Sequence, residues 1–106
     1  YARSKLALSM VTTELATRTN GSVTCMGLEP GEEFSTIRRT GGYTAVDITE
    51  CSDEFEHLTR PLTRDDHGQH FKRMVPAAMG PEAHDPYMRA ELWQHLEYST
   101  GVKFRP

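Results

Sequence analysis

Val11-Thr12-Thr13-Glu14-Leu15-Ala16-Thr17-Arg18-Thr19-Asn20-Gly21-Ser22-Val23-Thr24-Cys25-Met26-Gly27-Leu28 is the stretch on which the fold turns. An Asn-Gly pair between β-prone runs suits a two-residue type I′ hairpin, because both residues tolerate positive φ. With that turn as the pivot, Val11, Thr13, Leu15 and Thr17 share a face with Thr24, Met26 and Leu28. Thr12, Glu14, Ala16 and Arg18 share the other with Val23 and Cys25. One side is apolar or threonine and the other more polar, as a half-buried hairpin requires. The rival is a helix over residues 3–19, with Leu8, Val11 and Leu15 at helical spacing and Asn20-Gly21 as its C-terminal cap. Four threonines, weak helix formers, favour the hairpin.

Working outward, Glu29-Pro30-Gly31-Glu32 is a turn. Further strands are expected at 33–39 and 43–49, joined at Thr40-Gly41-Gly42. The first half therefore reads as an antiparallel meander of about four strands. The second half reads as helical. Ser52 caps a short helix that stops near Arg60, since Pro61 restricts the residue before it. A second short helix is expected over 69–75, with Phe71, Met74 and Val75 on one side. In the last helix Asp85 is the cap, Pro86 takes the first position and Gly101 sits just past the end. Its apolar stripe is Met88, Leu92 and Leu96, flanked by Trp93. The expected architecture is a single α+β domain over residues 1–106, with two or three C-terminal helices packing the meander. Phe71, Met74, Met79, Met88 and Trp93 are read as its core, with a methionine-rich partner groove as the alternative.

Composition narrows the function classes. The chain has 106 residues, 37% of them hydrophobic, and a formal charge of −3. Residues 1–56 hold five basic and nine acidic side chains, and residues 57–106 hold seven and six. Neither half carries the basic stripe of a nucleic-acid binder. No apolar run approaches a membrane span, and the first residues have no basic head followed by an apolar run. Cys25 and Cys51 cannot supply a CxxC pair. In a sequential meander they lie two strand spacings apart, beyond disulfide reach, so two free thiols are expected.

Acid is concentrated in Asp47, Glu50, Asp53, Glu54 and Glu56, with no basic residue among them. This run suits either a solvated helix start or a patch that meets a basic partner. The densest group of chemical side chains is Asp65-Asp66-His67-Gly68-Gln69-His70. On a helix, His67 and His70 fall one turn apart and could reach one ion with Asp65 as an oxygen ligand. His57, His84 or the Glu91/His95 pair would have to complete the shell. Against this, Asp66-x-x-Gln69 has the spacing of a capping box, which accounts for both residues without a metal. Glu91 and His95 make an ordinary i,i+4 contact, and no phosphate loop or nucleophile motif is present.

The leading functional expectation is a small non-enzymatic interaction or accessory protein without a cofactor. It would bind a protein partner through the acidic edge 47–56 and the adjacent helical surface. The alternative is a metal-dependent hydrolase or phosphodiesterase using His67, His70 and Asp65 with zinc or another divalent ion. A start at Tyr1 rather than Met adds a third expectation, membership of a larger assembly.

Overall fold

The computed structural model describes residues 2–29, 56, 60–72 and 75–105. It places a helix where the hairpin was expected: α1 runs Ala2–Thr19. The threonines that argued against a helix are accommodated by bonding back along it. Thr12 Oγ1 donates to the Leu8 carbonyl (2.9 Å), Thr13 Oγ1 to Ser9 (2.9 Å) and Thr17 Oγ1 to Thr13 (3.1 Å). Such i−4 bonds satisfy a hydroxyl without leaving the helix. Glu14 and Arg18 add an i,i+4 ion pair at 2.9 Å. Asn20 and Gly21 do adopt positive φ, 47° and 81°. They use it to end α1, with Ser22 donating to the Thr19 carbonyl from both its N–H (3.0 Å) and its Oγ (2.7 Å).

The expected antiparallel meander is overturned. The sheet among the described residues has three short strands in the order β1 (Gly27–Glu29), β2 (His70–Lys72), β3 (Val75–Pro76). β1 pairs parallel with β2, with Gly27 opposite His70 and Leu28 opposite Phe71. β2 pairs antiparallel with β3. Where a helix was expected over 69–75, His70–Lys72 and Val75 are strand instead. Its backbone finds partners across the chain instead: Gly68 N–H donates to Cys25 O (2.7 Å), Gly27 N–H to Gln69 O (2.9 Å) and Ala77 N–H to His70 O (2.8 Å). Pro76, which has no N–H to give, closes the sheet at its edge. The strands expected at 33–39 and 43–49 lie outside the described residues.

The last helix follows its sequence signals. After the single turn α2 (Pro81–His84), α3 runs Pro86–Thr100. Asp85 Oδ1 accepts from the N–H groups of Tyr87 (2.9 Å) and Met88 (3.3 Å). Gly101 takes φ 71°, the left-handed conformation that lets the chain reverse after a helix.

α1 lies between two sets of partners. It packs chiefly against α3 and α2, and its C-terminal end meets β1. Met10 and Glu14 are buried, and so are Ala16 and Thr19 near its end. The rest of the described core is Cys25, Phe71, Ala83 and Trp93. Cys25 carries a free thiol; Cys51 lies outside the described residues. Of the core expected from sequence, Phe71 and Trp93 are buried, Met79 is half-buried and Met88 is exposed. Met74 lies outside the described residues.

Candidate functional site

The histidine cluster resolves into a junction between elements. Arg64–Asp66 form one 3₁₀ turn, followed by His67 in extended conformation and Gly68 at φ 76°. This geometry removes the one-turn spacing expected for His67 and His70. His67 Nδ1 accepts the Cys25 N–H at 3.2 Å, and Nε2 lies 2.7 Å from the Ala16 carbonyl oxygen. A backbone N–H can only donate and a carbonyl can only accept, so the ring is neutral with its proton on Nε2. Both nitrogens are thereby committed to backbone groups, and neither offers a lone pair to an ion. The His70 ring lies over Gly27 instead, where a Cβ would stand 2.5 Å from Nδ1. Glycine at 27 is what lets β1 approach β2 beneath that ring.

The aspartates of the cluster separate as well. Asp65 is exposed and Asp66 is buried. Asp66 is the N3 residue of the 3₁₀ turn and not its cap; the cap is Thr63. Its Oδ2 accepts from the Thr63 N–H at 2.7 Å, and Arg60 grips both oxygens at 2.6 and 3.1 Å. The expected Asp66–Gln69 box is thus replaced by Thr63–Asp66, one turn earlier. The Arg60 bond first, and the Thr63 N–H second, hold the Asp66 carboxyl well below the usual carboxylate range. Among the described residues no group of three or more His, Cys, Asp or Glu side chains could hold a metal ion. His84 and His95 are exposed; His57 lies outside the described residues.

Of the acidic edge, Glu56 is described, as an exposed helical residue. Asp47, Glu50, Asp53 and Glu54 lie outside the described residues.

Two features of the α1–α3 half were not marked by the sequence reading. The first is a polar network through the helix interface. Buried Glu14 sits between Arg18 Nε (2.9 Å) and Arg89 Nε (3.4 Å), and Arg89 Nη1 also donates to the Ala83 carbonyl (3.0 Å). The Arg18 guanidinium lies 4.8 Å from the centre of the Trp93 ring, a cation–π contact. Trp93 Nε1 donates to Glu97 Oε1 at 3.1 Å. After the reversal at Gly101 the tail folds back, so that Phe104 N–H reaches the same oxygen at 3.2 Å and the Phe104 ring meets Trp93 edge-on. The Phe104 N–H first, then the Trp93 indole, lower the Glu97 pKa. Beside this network opens a cleft of about 670 Å³ lined by Arg18, Trp93, Gln94, Glu97, Tyr98 and Lys103. The readable signal was the Trp93/Glu97 i,i+4 pair followed by a glycine cap and a basic tail.

The second feature is the outer face of α3. Trp93 points inward, and the expected apolar stripe is turned partly to solvent. Met88 is 43% exposed and Leu96 37%, with Leu92 half-buried between them. Tyr87 (86%), Tyr98 (89%) and Val102 (66%) are exposed as well, the two tyrosines roughly opposite Leu96 around the helix.

Comparison with known protein families, curated proteins and solved structures returns no match, so the function must be argued from these residues. Among the described residues no helix is long and apolar enough to cross a membrane.

Proposed function

We propose that the chain is a non-enzymatic interaction protein that binds a protein partner through the outer face of α3. The acidic residues of 47–56 supply charge attraction for a basic partner. The supporting observation is the helical row Met88–Leu92–Leu96, turned partly to water. Single exposed apolar residues need no cause. A row at i, i+4 and i+8 is different, because one binding surface can cover all three side chains. Methionine is also among the side chains enriched where proteins meet.

The test is affinity capture with the immobilised chain, followed by identification of the bound proteins. A Met88→Asp/Leu96→Asp variant alters the helical face, and an Asp53→Lys/Glu54→Lys/Glu56→Lys variant alters the acidic edge. Circular dichroism checks that each is folded. The expected result is a basic protein captured by the natural chain, lost with the first variant and weakened by the second. An identical set of captured proteins from all three chains refutes the proposal.

A further inference from the structure

We propose that the cleft between α1 and the C-terminal end of α3 binds an anionic group, a phosphate or a carboxylate, held by Arg18 and Lys103. The inference stands apart from the protein-binding reading above, and rests on what the walls of the cleft can offer.

The one carboxylate among the described lining residues is already engaged. Glu97 Oε1 takes the Trp93 indole and the Phe104 N–H, and Oε2 lies 3.7 Å from Lys103 Nζ. Trp93 is no open stacking platform, since Arg18 lies over its face and Phe104 meets it edge-on. What remains for a ligand is weighted towards donors: the Arg18 guanidinium and Lys103 ammonium can only donate, and the Gln94 amide and Tyr98 hydroxyl can donate as well as accept. A donor-rich cleft selects a ligand rich in acceptors.

Charge points the same way. Arg18, Arg89 and Lys103 face Glu14 and Glu97 through the network, which leaves one positive charge uncompensated there. The Glu14 bond uses Arg18 Nε, so the terminal nitrogens of the guanidinium are not consumed by it. These form the fork that matches a carboxylate or phosphate edge. Lys103 is 73% exposed in its side chain and only loosely paired with Glu97. Exposed pairs of this kind contribute little, so Lys103 can turn to a ligand at small cost. The volume, about 670 Å³, falls within the usual size of small-ligand sites.

Trp93 is the only tryptophan in the chain, so its emission reports on the cleft directly. The experiment titrates the protein with inorganic pyrophosphate and, separately, with citrate, holding ionic strength constant with sodium chloride. A saturable change in Trp93 emission is expected from at least one probe, and the stronger probe identifies phosphate or carboxylate as the preferred source. Lys103→Glu, at an exposed position outside the core, should weaken that binding at least tenfold, while Lys103→Arg retains it. Arg18→Gln, checked for folding by circular dichroism, should weaken it comparably. No saturable change with either probe, or equal affinity in the Lys103→Glu variant, overturns the proposal.

Discussion

Replacing His67 by leucine should destabilise the fold chiefly through the Cys25 N–H, whose acceptor is the imidazole, since the Ala16 carbonyl also accepts from Thr19 Oγ1 at 3.1 Å. Leucine keeps roughly the volume of the ring and removes both of its polar atoms. The Cys25 N–H then loses its acceptor at 3.2 Å and the Ala16 carbonyl loses its ring donor at 2.7 Å. Cys25 and Ala16 are both buried, 8% and 4% exposed, so water does not readily replace the ring. A buried backbone group left unsatisfied costs about 1–3 kcal/mol. One such group, with a smaller loss at the Ala16 carbonyl and an offset from the greater apolarity of leucine, gives a net loss of about 1–3 kcal/mol. That is a sizeable fraction of the 5–15 kcal/mol typical of a domain, and lowers Tm by about 5–20 °C in a chain of this size. Two further variants divide the effect. His67→Asn keeps an acceptor near the Nδ1 position, and His67→Gln keeps a donor near Nε2. The asparagine variant should retain most of the stability, and the glutamine variant should lose nearly as much as leucine. Urea unfolding followed by far-ultraviolet circular dichroism measures all four proteins. A leucine variant within about 0.5 kcal/mol of the natural chain would refute the assignment of both bonds, since that is the scatter of an ordinary surface substitution.

Glu14→Gln should be among the more damaging single changes, at about 3 kcal/mol by urea unfolding, because it leaves Arg89, 11% exposed in its side chain, without its counter-charge inside the helix interface. Asp66 should make the fold acid-sensitive: its pKa is depressed in the folded state, so its contribution is complete above the unfolded carboxylate range near about pH 4 and is lost as pH falls towards the lower folded value. Unfolding curves of the natural chain and of Asp66→Asn should therefore lie well apart at pH 6 and converge below about pH 4; a constant gap would show that Arg60 and Thr63 do not bind the ionised form preferentially.

The parts of the fold that were legible in the sequence are those whose causes are local. Asp85, Pro86 and Gly101 act on their own helix ends, and α3 begins and stops where they say. Asn20-Gly21 was read correctly as a pair that takes positive φ. Yet a hairpin turn and a helix cap ask the same of those two residues. The helix is favoured by packing of α1 against α2 and α3, far along the chain, while hydroxyl bonds to carbonyls four residues back only accommodate its threonines. The parallel pairing of Gly27–Glu29 with His70–Lys72 has no local signal at all. The same distance hid the role of His67. Its stretch stood out as chemical, but its partners are Cys25 and Ala16, 42 and 51 positions away. A ring committed to such partners is indistinguishable, in sequence, from a ring available to a metal.

The reversal on α3 has a different origin. Periodicity makes Met88, Leu92 and Leu96 the apolar stripe of the helix, and the most apolar row of a helix ordinarily faces inward. The inward row here holds Arg89, Trp93 and Glu97. It can be buried because α1 brings Glu14 and Arg18 to meet it, so each charge finds an opposite charge or a hydrogen bond. Burying these groups unpaired would cost several kcal/mol each, and paired they can occupy an interior position. Once a polar network fills the inner face, the apolar row has no place left in the helix interface and turns towards water. The surface that motivates a protein partner thus follows from the same network that shapes the cationic cleft. Glu14→Gln should consequently disturb both, whereas Met88→Asp/Leu96→Asp should leave anion binding at Arg18 and Lys103 intact.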